Sequence, residues 1–446
     1  MSTPAPANRR RRASSTRSTG RQTTLLALMV VALTAGMLAL AGTTPRDVGA
    51  LVGRSAPVAL EQRTFVCDAG LPGATVTRGS TSGGPERAPA GAAPFVIEVD
   101  RSRSATAYAG EQAGGGTWSA WQSCPEPQSR WWFLGASGAA VTHDTVLHVV
   151  NPRAGAAVID VDVYGANGPV AAPALHGLTL DGGSAKTFDL ARVAPAVGEL
   201  AVRVLARRGL VTVAATDEFS PGQIGKEVRE WLPPTALPAR TVTITGLPAK
   251  PSGATLVLAN PTDTEAIAKI AVVGTRGTFA PEGVEPVTVG PHAVATLPLR
   301  SVFDGTALAL RITAERRITA GLRATDGGDI AYGSAVEPVR GSTTVAVPAA
   351  RGGKRTLVLS STGAAGQATV TGYDARGTQV LRKTVAVAAQ TSVAVELTGK
   401  VAVLRIEAAR PTMVAGVVGT GPAGVVSAAV GSSLRSIRLP VVRQGW

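Results

Sequence analysis

TVLHVVNP (residues 145–152), ATLVLANP (254–261) and RTLVLSST (355–362) are three versions of one segment. Their recurrence decides the architecture, because self-similarity at a period of about 100 residues marks a chain that uses one folding unit repeatedly. Asn151 aligns with Asn260 and then with Ser360, at spacings of 109 and 100 residues. Each opening is followed by a second alternating segment that ends in a glycine turn: VIDVDVYGANG, IAVVGTRG and ATVTGYDARG. Further segments of the same kind follow (LAVRVLA, LALRITA, VAVLRIEA), each trailed by VTVAATD, ITAGLRATD or MVAGVVGTG. The stretches joining the copies, EWLPPTALPAR, TTVAVPAAR and IRLPVVRQ, put Pro238, Pro348 and Pro440 in corresponding positions.

Short runs rich in Val, Thr, Leu and Ile, alternating with polar positions and separated by Gly, Pro, Asn and Asp, read as half-buried strands. Five to seven of them per ~100 residues argue for an all-β chain of tandem β-sandwich (Ig-like) repeats. The Asn-Pro pair ends the first strand of a copy, since proline cannot continue a ladder and asparagine readily starts a turn. Because proline follows them, Asn151 and Asn260 head no glycosylation sequon.

Outward toward the N-terminus, residues 63–134 differ from the repeats. They hold Cys67 and Cys124, a Gly/Pro/Ser/Ala-rich loop over 79–94, and the aromatic cluster Trp118, Trp121, Trp131, Trp132 and Phe133. Two cysteines on the exported side of a chain pair by expectation as one disulfide, closing a loop of about 58 residues that contributes about 4 kcal/mol by chain entropy. Tryptophan offers a flat ring with one polar handle, so Trp118, Trp121, Trp131 and Trp132 are the candidates for a sugar-stacking face. The alternative, which we favour, is a core packed on the disulfide, because strand alternation sends Trp131 and Trp132 to opposite faces and only one of them is readily exposed.

Further out, the acid-free arginine tail (Arg9, Arg10, Arg11, Arg12, Arg17, Arg21) runs into TTLLALMVVALTAGMLALAG, 20 uncharged residues over 23–42. That pairing reads as an export signal. At about 1.5 Å per residue the run just crosses a hydrocarbon core of roughly 30 Å and serves as an anchor. The competing reading is cleavage after Ala41, with Ala39 and Ala41 as the small-residue site. Either way the basic end stays in the cytoplasm and the bulk of the chain lies outside, as a single-pass plasma-membrane protein or a secreted one.

Once those six arginines are set aside, the formal charge of +14 reduces to 38 basic against 30 acidic residues. That excess is thinly spread and carries no aromatic-interleaved stripe, which argues against nucleic acid. His143, His148, His176 and His292 are scattered, and on a strand His143 and His148 point to opposite faces, so no metal site is expected. Gly419, Gly421 and Gly424 match the spacing of a dinucleotide fingerprint. However, Pro422 and the following VVSAAV read as turn and strand, so a glycine-rich hairpin is expected instead. Acid pairs such as Asp217 with Glu218 and Asp326 with Asp329 read as solvated turn residues; no catalytic residue and no cofactor is assigned.

WQSCPEPQSRWWFLGA, followed by LHVVNP and AVIDVDVYGANG, resembles an actinobacterial family of exported proteins carrying a domain of unknown function, over nearly everything from residue 63 onward. That resemblance implies no activity and transfers no catalytic residue. The expected order is a basic tail (1–22), the membrane segment (23–42), a stalk (43–62), the disulfide segment (63–134) and three sandwiches (135–240, 241–348, 349–446). The expected role is a non-enzymatic envelope scaffold or interaction protein whose partners are envelope proteins or cell-wall polymers. The alternatives are a carbohydrate-binding module for wall polysaccharide and a divergent hydrolase. Residues 437–442 are expected to pair into the third sandwich.

Overall fold

The computed structural model describes residues 19–42, 52–59, 62–431 and 436–442, apart from 69, 82, 92, 101–102, 104–105, 116–117, 140–142, 196, 221–226, 300–301, 304, 306–308, 327, 351 and 423. The basic tail and most of the expected stalk lie outside the described residues. The chain forms two compact units, Met1–Ala59 with Ser436–Trp446, and Leu60–Arg435.

In the first unit Thr19–Gly42 is a single α-helix of 24 residues, whose side chains are described over 26–37. Among the described residues no helix is long and apolar enough to cross a membrane. Val52–Ala59 forms a strand antiparallel to Ser436–Val442, with Val52 opposite Val442 and Ala59 opposite Ser436. This corrects two expectations: part of the stalk is a strand, and residues 437–442 pair with it rather than with the third copy. Pro440 explains part of the choice. It has no N–H to give a central ladder, and it falls where the pairing slips between Ala56 and Gly53. One edge of the third copy, Gly424–Val430, is also already covered, because Asp329 Oδ2 accepts the Val425 N–H and Ser427 Oγ donates to the Gly246 carbonyl.

The second unit is mostly strand, in several antiparallel sheets. Its N-terminal part pairs Gln62–Cys67 with Phe95–Asp100, and sets Pro85–Pro89, Thr75–Ser80, Ala107–Gly114 and Ser119–Ser123 side by side in that order. The Cys67–Cys124 disulfide, with Cα atoms 4.6 Å apart, sits among Phe65, Val76, Ile97, Ala107 and Ala109, as expected for a segment too small to hold itself by packing alone.

One pairing order then recurs three times. Arg130–Ala136, Ala239–Thr245 and Gly341–Ala346 each pair with the same later strand as Ala157–Gly165, Ala266–Val273 and Gly366–Tyr373 do. That later strand is Leu200–Arg208 in the first copy and Val403–Ala408 in the third. In the other sheet His143–Val150, Gly253–Asn260 and Lys354–Ser361 lie between Ala185–Asp189 and Thr212–Phe219, or their counterparts. In the second copy the two later strands fuse into one of 18 residues, Ala309–Asp326, which passes from one sheet to the other. Inner faces meet in one apolar cluster per copy, for example Leu147, Val149, Ile159, Val202, Val204 and Val213 in the first.

Each copy begins earlier than the sequence reading puts it. The 134/135 boundary falls inside Arg130–Ala136, the 240/241 boundary inside Ala239–Thr245, and Gly341–Ala346 precedes the 348/349 boundary. The prolines mislead here: Pro238 precedes the first strand of its copy whereas Pro348 follows one, so the two are not equivalent.

Asn151 and Asn260 are buried hubs rather than simple turn starters. Asn151 Nδ2 donates to the carbonyls of Gly155, Leu180 and Asp181, and its Oδ1 accepts the Arg153 N–H. Asn260 repeats the set with Thr264, Val289, Gly290 and Thr262. In the third copy Ser361, not Ser360, takes the place: its Oγ donates to Ala364 and accepts from the Gly363 and Gln390 N–H groups. The alignment is therefore one residue later than the serine first matched.

Candidate functional site

Three clusters of buried acids among the described residues of the second unit lie where segments meet. At the open end of the first copy, Thr145, His143 and Asp217 face inward on adjacent strands, and Tyr332 of the second copy inserts among them. Asp217 accepts from Thr145 Oγ1 and Tyr332 Oη, both at 2.5 Å, and its Oδ2 lies 2.9 Å from His143 Nε2. Burial, and then the Asp217 charge, push the Tyr332 phenol well above its ordinary value, so it stays a donor. Arg323 closes the group, with Glu199 Oε1 at 2.5 Å and Phe219 under its guanidinium.

The second cluster caps a strand edge. Ser119–Ser123 pairs on one side only, with Ala107–Gly114, and every second N–H points away from that partner. Glu230 Oε1 accepts the Trp121 N–H at 2.9 Å and the Trp231 N–H at 2.8 Å. Asp329 Oδ2 accepts from Ser119 at 3.1 Å and from Val425, on an edge strand of the third copy, at 2.9 Å. Two carboxyl groups thus stand where another strand would. Burial raises Asp329 to about 7, and burial together with the Asp329 charge raises Glu230 well above its usual range. These acids, like Asp217, were expected to be solvated or went unremarked; nothing in the local sequence shows that a neighbouring segment buries them.

The third cluster lies beside the disulfide. Glu111 Oε1 accepts the Asp68 N–H at 2.7 Å and Gln122 Nε2 at 2.5 Å, and burial pushes the Glu111 carboxyl up to about 8. His148 reaches the same region, 3.1 Å from Thr216 Oγ1 and 3.5 Å from Asp68 Oδ2, with its pKa lowered by burial. His143 and His148 do point to opposite faces of their strand, each toward a different neighbour. Among the described residues no group of His, Cys, Asp or Glu has the arrangement of a metal site.

The tryptophans close in sequence are dispersed in space. Trp131 lies in the first copy's core and Trp121 packs with Tyr108 into the third copy's core. Trp132 is stacked 5.5 Å from Tyr164 on the outer face of the first copy, under Val257, Ala259 and Val294 of the second. Trp121, Trp131 and Trp132 are each at most 4% exposed, so the four rings form no common sugar-stacking face. Alternation does send Trp131 and Trp132 to opposite sides, but the second copy covers the outer one. Trp118 alone of the four is only half-buried.

Trp118 lines a cavity of about 330 Å³ between the N-terminal sheet and the third copy. Its floor is one face of that sheet: Thr77 opposes Arg87, Thr75 opposes Gln112, and Gln112 opposes Trp121, so alternation brings these side chains to the same side. Gly110 lets the Trp121 ring lie over the strand, since a Cβ there would come 2.6 Å from the ring. The far wall is the hairpin Met413–Gly421 and Gly424–Val430, which turns through Gly421 opposite Gly424. Gly424 has φ +119°, and a side chain there would meet Asp329. The fingerprint glycines therefore make a hairpin, as expected, and also a cavity wall, which the sequence did not suggest. Gln112 ties floor to wall through both amide atoms, donating to the Ala349 carbonyl at 2.9 Å and accepting the Ala349 N–H at 3.0 Å. No carboxylate, histidine or cysteine is among the described residues that line the cavity.

Fold and site define a disulfide-bonded, mostly antiparallel β protein with one lined cavity described between its segments. The chain belongs to a family of unknown function (DUF5719), whose model matches residues 79–398. No curated protein matches it. Among solved structures, it is 10% identical to a glycosyl hydrolase family 2 member from Bacteroides cellulosilyticus, covering 64% of this chain and 37% of that one with a TM-score of 0.12. It is likewise 10% identical to the full-length RrgB pilus protein from Streptococcus pneumoniae, covering 90% and 96% with a TM-score of 0.11. A structure of infectious bursal disease virus, Gt strain, is 12% identical over 84% and 82%, with a TM-score of 0.12. The chain spans little more than a third of the hydrolase's length, and TM-scores this low carry no argument.

Proposed function

We propose that this is a non-enzymatic binding and scaffold protein of the cell envelope, built of three Ig-like β-sandwich copies behind an N-terminal membrane segment over 23–42. The observation that carries the reading is the separation of chemistry from space. The buried acids of the three clusters are engaged in holding segments together, whereas the described lining of the cavity offers hydroxyls, an amide, a guanidinium and two indoles but no general acid or base. Such a lining holds a ligand without converting it. A site on an interlocked body suits a scaffold, because its geometry does not depend on linker motion.

The extracytoplasmic location is supported by the disulfide, which persists in oxidising compartments. It is also supported by the helix residues Leu26, Leu28, Met29, Val30, Val31, Leu33 and Met37, which lie all round the helix and are each 55–69% exposed in the isolated chain. Envelope proteins or wall polymers are the partners this location offers. Two measurements test the reading. A C-terminal alkaline phosphatase fusion of the full chain should be active in intact cells and a cytoplasm-only fluorescent reporter dark. The purified full chain should leave chromogenic glycosides and esters intact. Cytoplasmic retention, or turnover abolished by Glu230→Gln or Asp329→Asn in a folded variant, would overturn it.

A further inference from the structure

We propose that the cavity between the N-terminal sheet and the glycine hairpin of the third copy binds one pyranose unit carrying an anionic substituent; this deepens, and rests on, the reading of the chain as a binding protein. At about 330 Å³ the cavity is at the low end of the range of roughly 300–1,000 Å³ that small-ligand sites occupy, so it suits one ring rather than an extended chain. Its parts fit that ring. Half-buried Trp118 supplies a flat apolar surface of the kind that covers the C–H face of a sugar. Thr75 and Thr77 stand on the floor with hydroxyls that both donate and accept, the pattern a polyol needs. The wall opposite is made of Gly419, Gly421 and Gly424, which bring backbone rather than side chains to the ligand.

Charge comes from Arg87. It is exposed at the cavity and makes no ion pair among the described residues, whereas its neighbour Glu86 is already paired with Arg78 at 3.3 Å. A guanidinium with a free fork is suited to a carboxylate or phosphate oxygen pair. Trp121, on the floor and 4% exposed, also leaves its indole N–H without a hydrogen-bond partner among the described residues. Gln112 is a positioning residue here, since both ends of its amide are spent on Ala349 and set the spacing between floor and wall.

The test is titration of the purified full chain with glucuronic acid, glucose and inorganic phosphate, followed by isothermal calorimetry and tryptophan fluorescence. Glucuronic acid should bind saturably and glucose at least about tenfold more weakly, the difference of one lost charge-assisted contact. Phosphate alone should bind weakly and leave the fluorescence unchanged. Trp118→Ala should abolish sugar binding and Trp118→Phe should retain it in part. Arg87→Gln should erase the preference for the acidic sugar. Circular dichroism and melting of each variant establish that it is folded. Three results would each overturn the proposal: no saturable binding of glucuronic acid, equal binding of phosphate and the acidic sugar, or indifference to a folded Trp118→Ala variant. A failure here leaves location and the absence of turnover untouched, so it is distinguishable from a failure of the scaffold reading.

Discussion

Tyr332 donates its hydroxyl to Asp217 at 2.5 Å, joining the second copy to the first. The same ring fills the apolar cluster of the first copy alongside Ile330, so one residue supplies both a plug and a polar latch. Tyr332→Phe keeps the plug and removes the latch, leaving a buried carboxylate short of a donor. Its expected cost is about 1–3 kcal/mol. Guanidinium unfolding should show that loss, and Tyr332→Ala should cost more because it also leaves a cavity.

Asn151 and Asn260 make matching sets of hydrogen bonds, so their alanine variants should be destabilised by similar amounts, about 1–3 kcal/mol each. Ser361→Ala should cost less than either, since serine makes the shorter reach and donates only once. Ser360→Ala separates the two serines: its Oγ bonds Thr245 and Ser392 within the core and not the strand-end turn. Thermal melts of the four variants provide the comparison.

Glu111 and Asp329 hold their protons in the folded chain up to about pH 8 and about pH 7, chiefly because burial disfavours their charged forms. In the unfolded chain both lose them near pH ~4. The folded state therefore binds more protons across that window. The stability these groups contribute is fully present below pH ~4, declines as pH rises, and is lost above pH ~8. Unfolding free energies at a series of pH values should follow that slope, and Glu111→Gln should flatten its upper part.

The native chain should show no labelling of Cys67 or Cys124 by a thiol reagent, because the two are bonded. Replacing both by alanine should cost about 2–5 kcal/mol. Hydrogen exchange should locate the loss among the strands that surround the bond, from Gln62–Cys67 to Ala107–Gly114, before it reaches the three copies.

Deleting residues 436–446 should remove exchange protection from Val52–Ala59, its antiparallel partner, and leave the melting of Leu60–Arg435 unchanged. A fall in that melting midpoint would instead restore the pairing with the third copy that the repeat pattern had suggested.

The strands were legible because alternation is local. LHVV, LVLA and LVLS each announce an inward face at every second residue, and the burial of Leu147, Leu256 and Leu357 follows that rule. The disulfide was legible by elimination, two cysteines having only each other. The boundaries were not, because proline-rich connectors hid the first strand of each copy, and the one-residue offset at Ser361 shows only in which carbonyl its Oγ reaches.

Composition and periodicity by themselves determined the all-β class, the threefold recurrence and the cysteine pair, since each depends on residue order within a short window or on counting. What the tertiary structure alone decided is which faces meet. Trp132 is buried because Val257 and Val294, more than 100 residues away, cover it, and Glu230 and Asp329 are raised because the segments packed around the edge of Ser119–Ser123 bury them. Burial and carboxyl pKa depend on neighbours brought together by long-range packing, and no local pattern in a chain encodes the partner across such a contact.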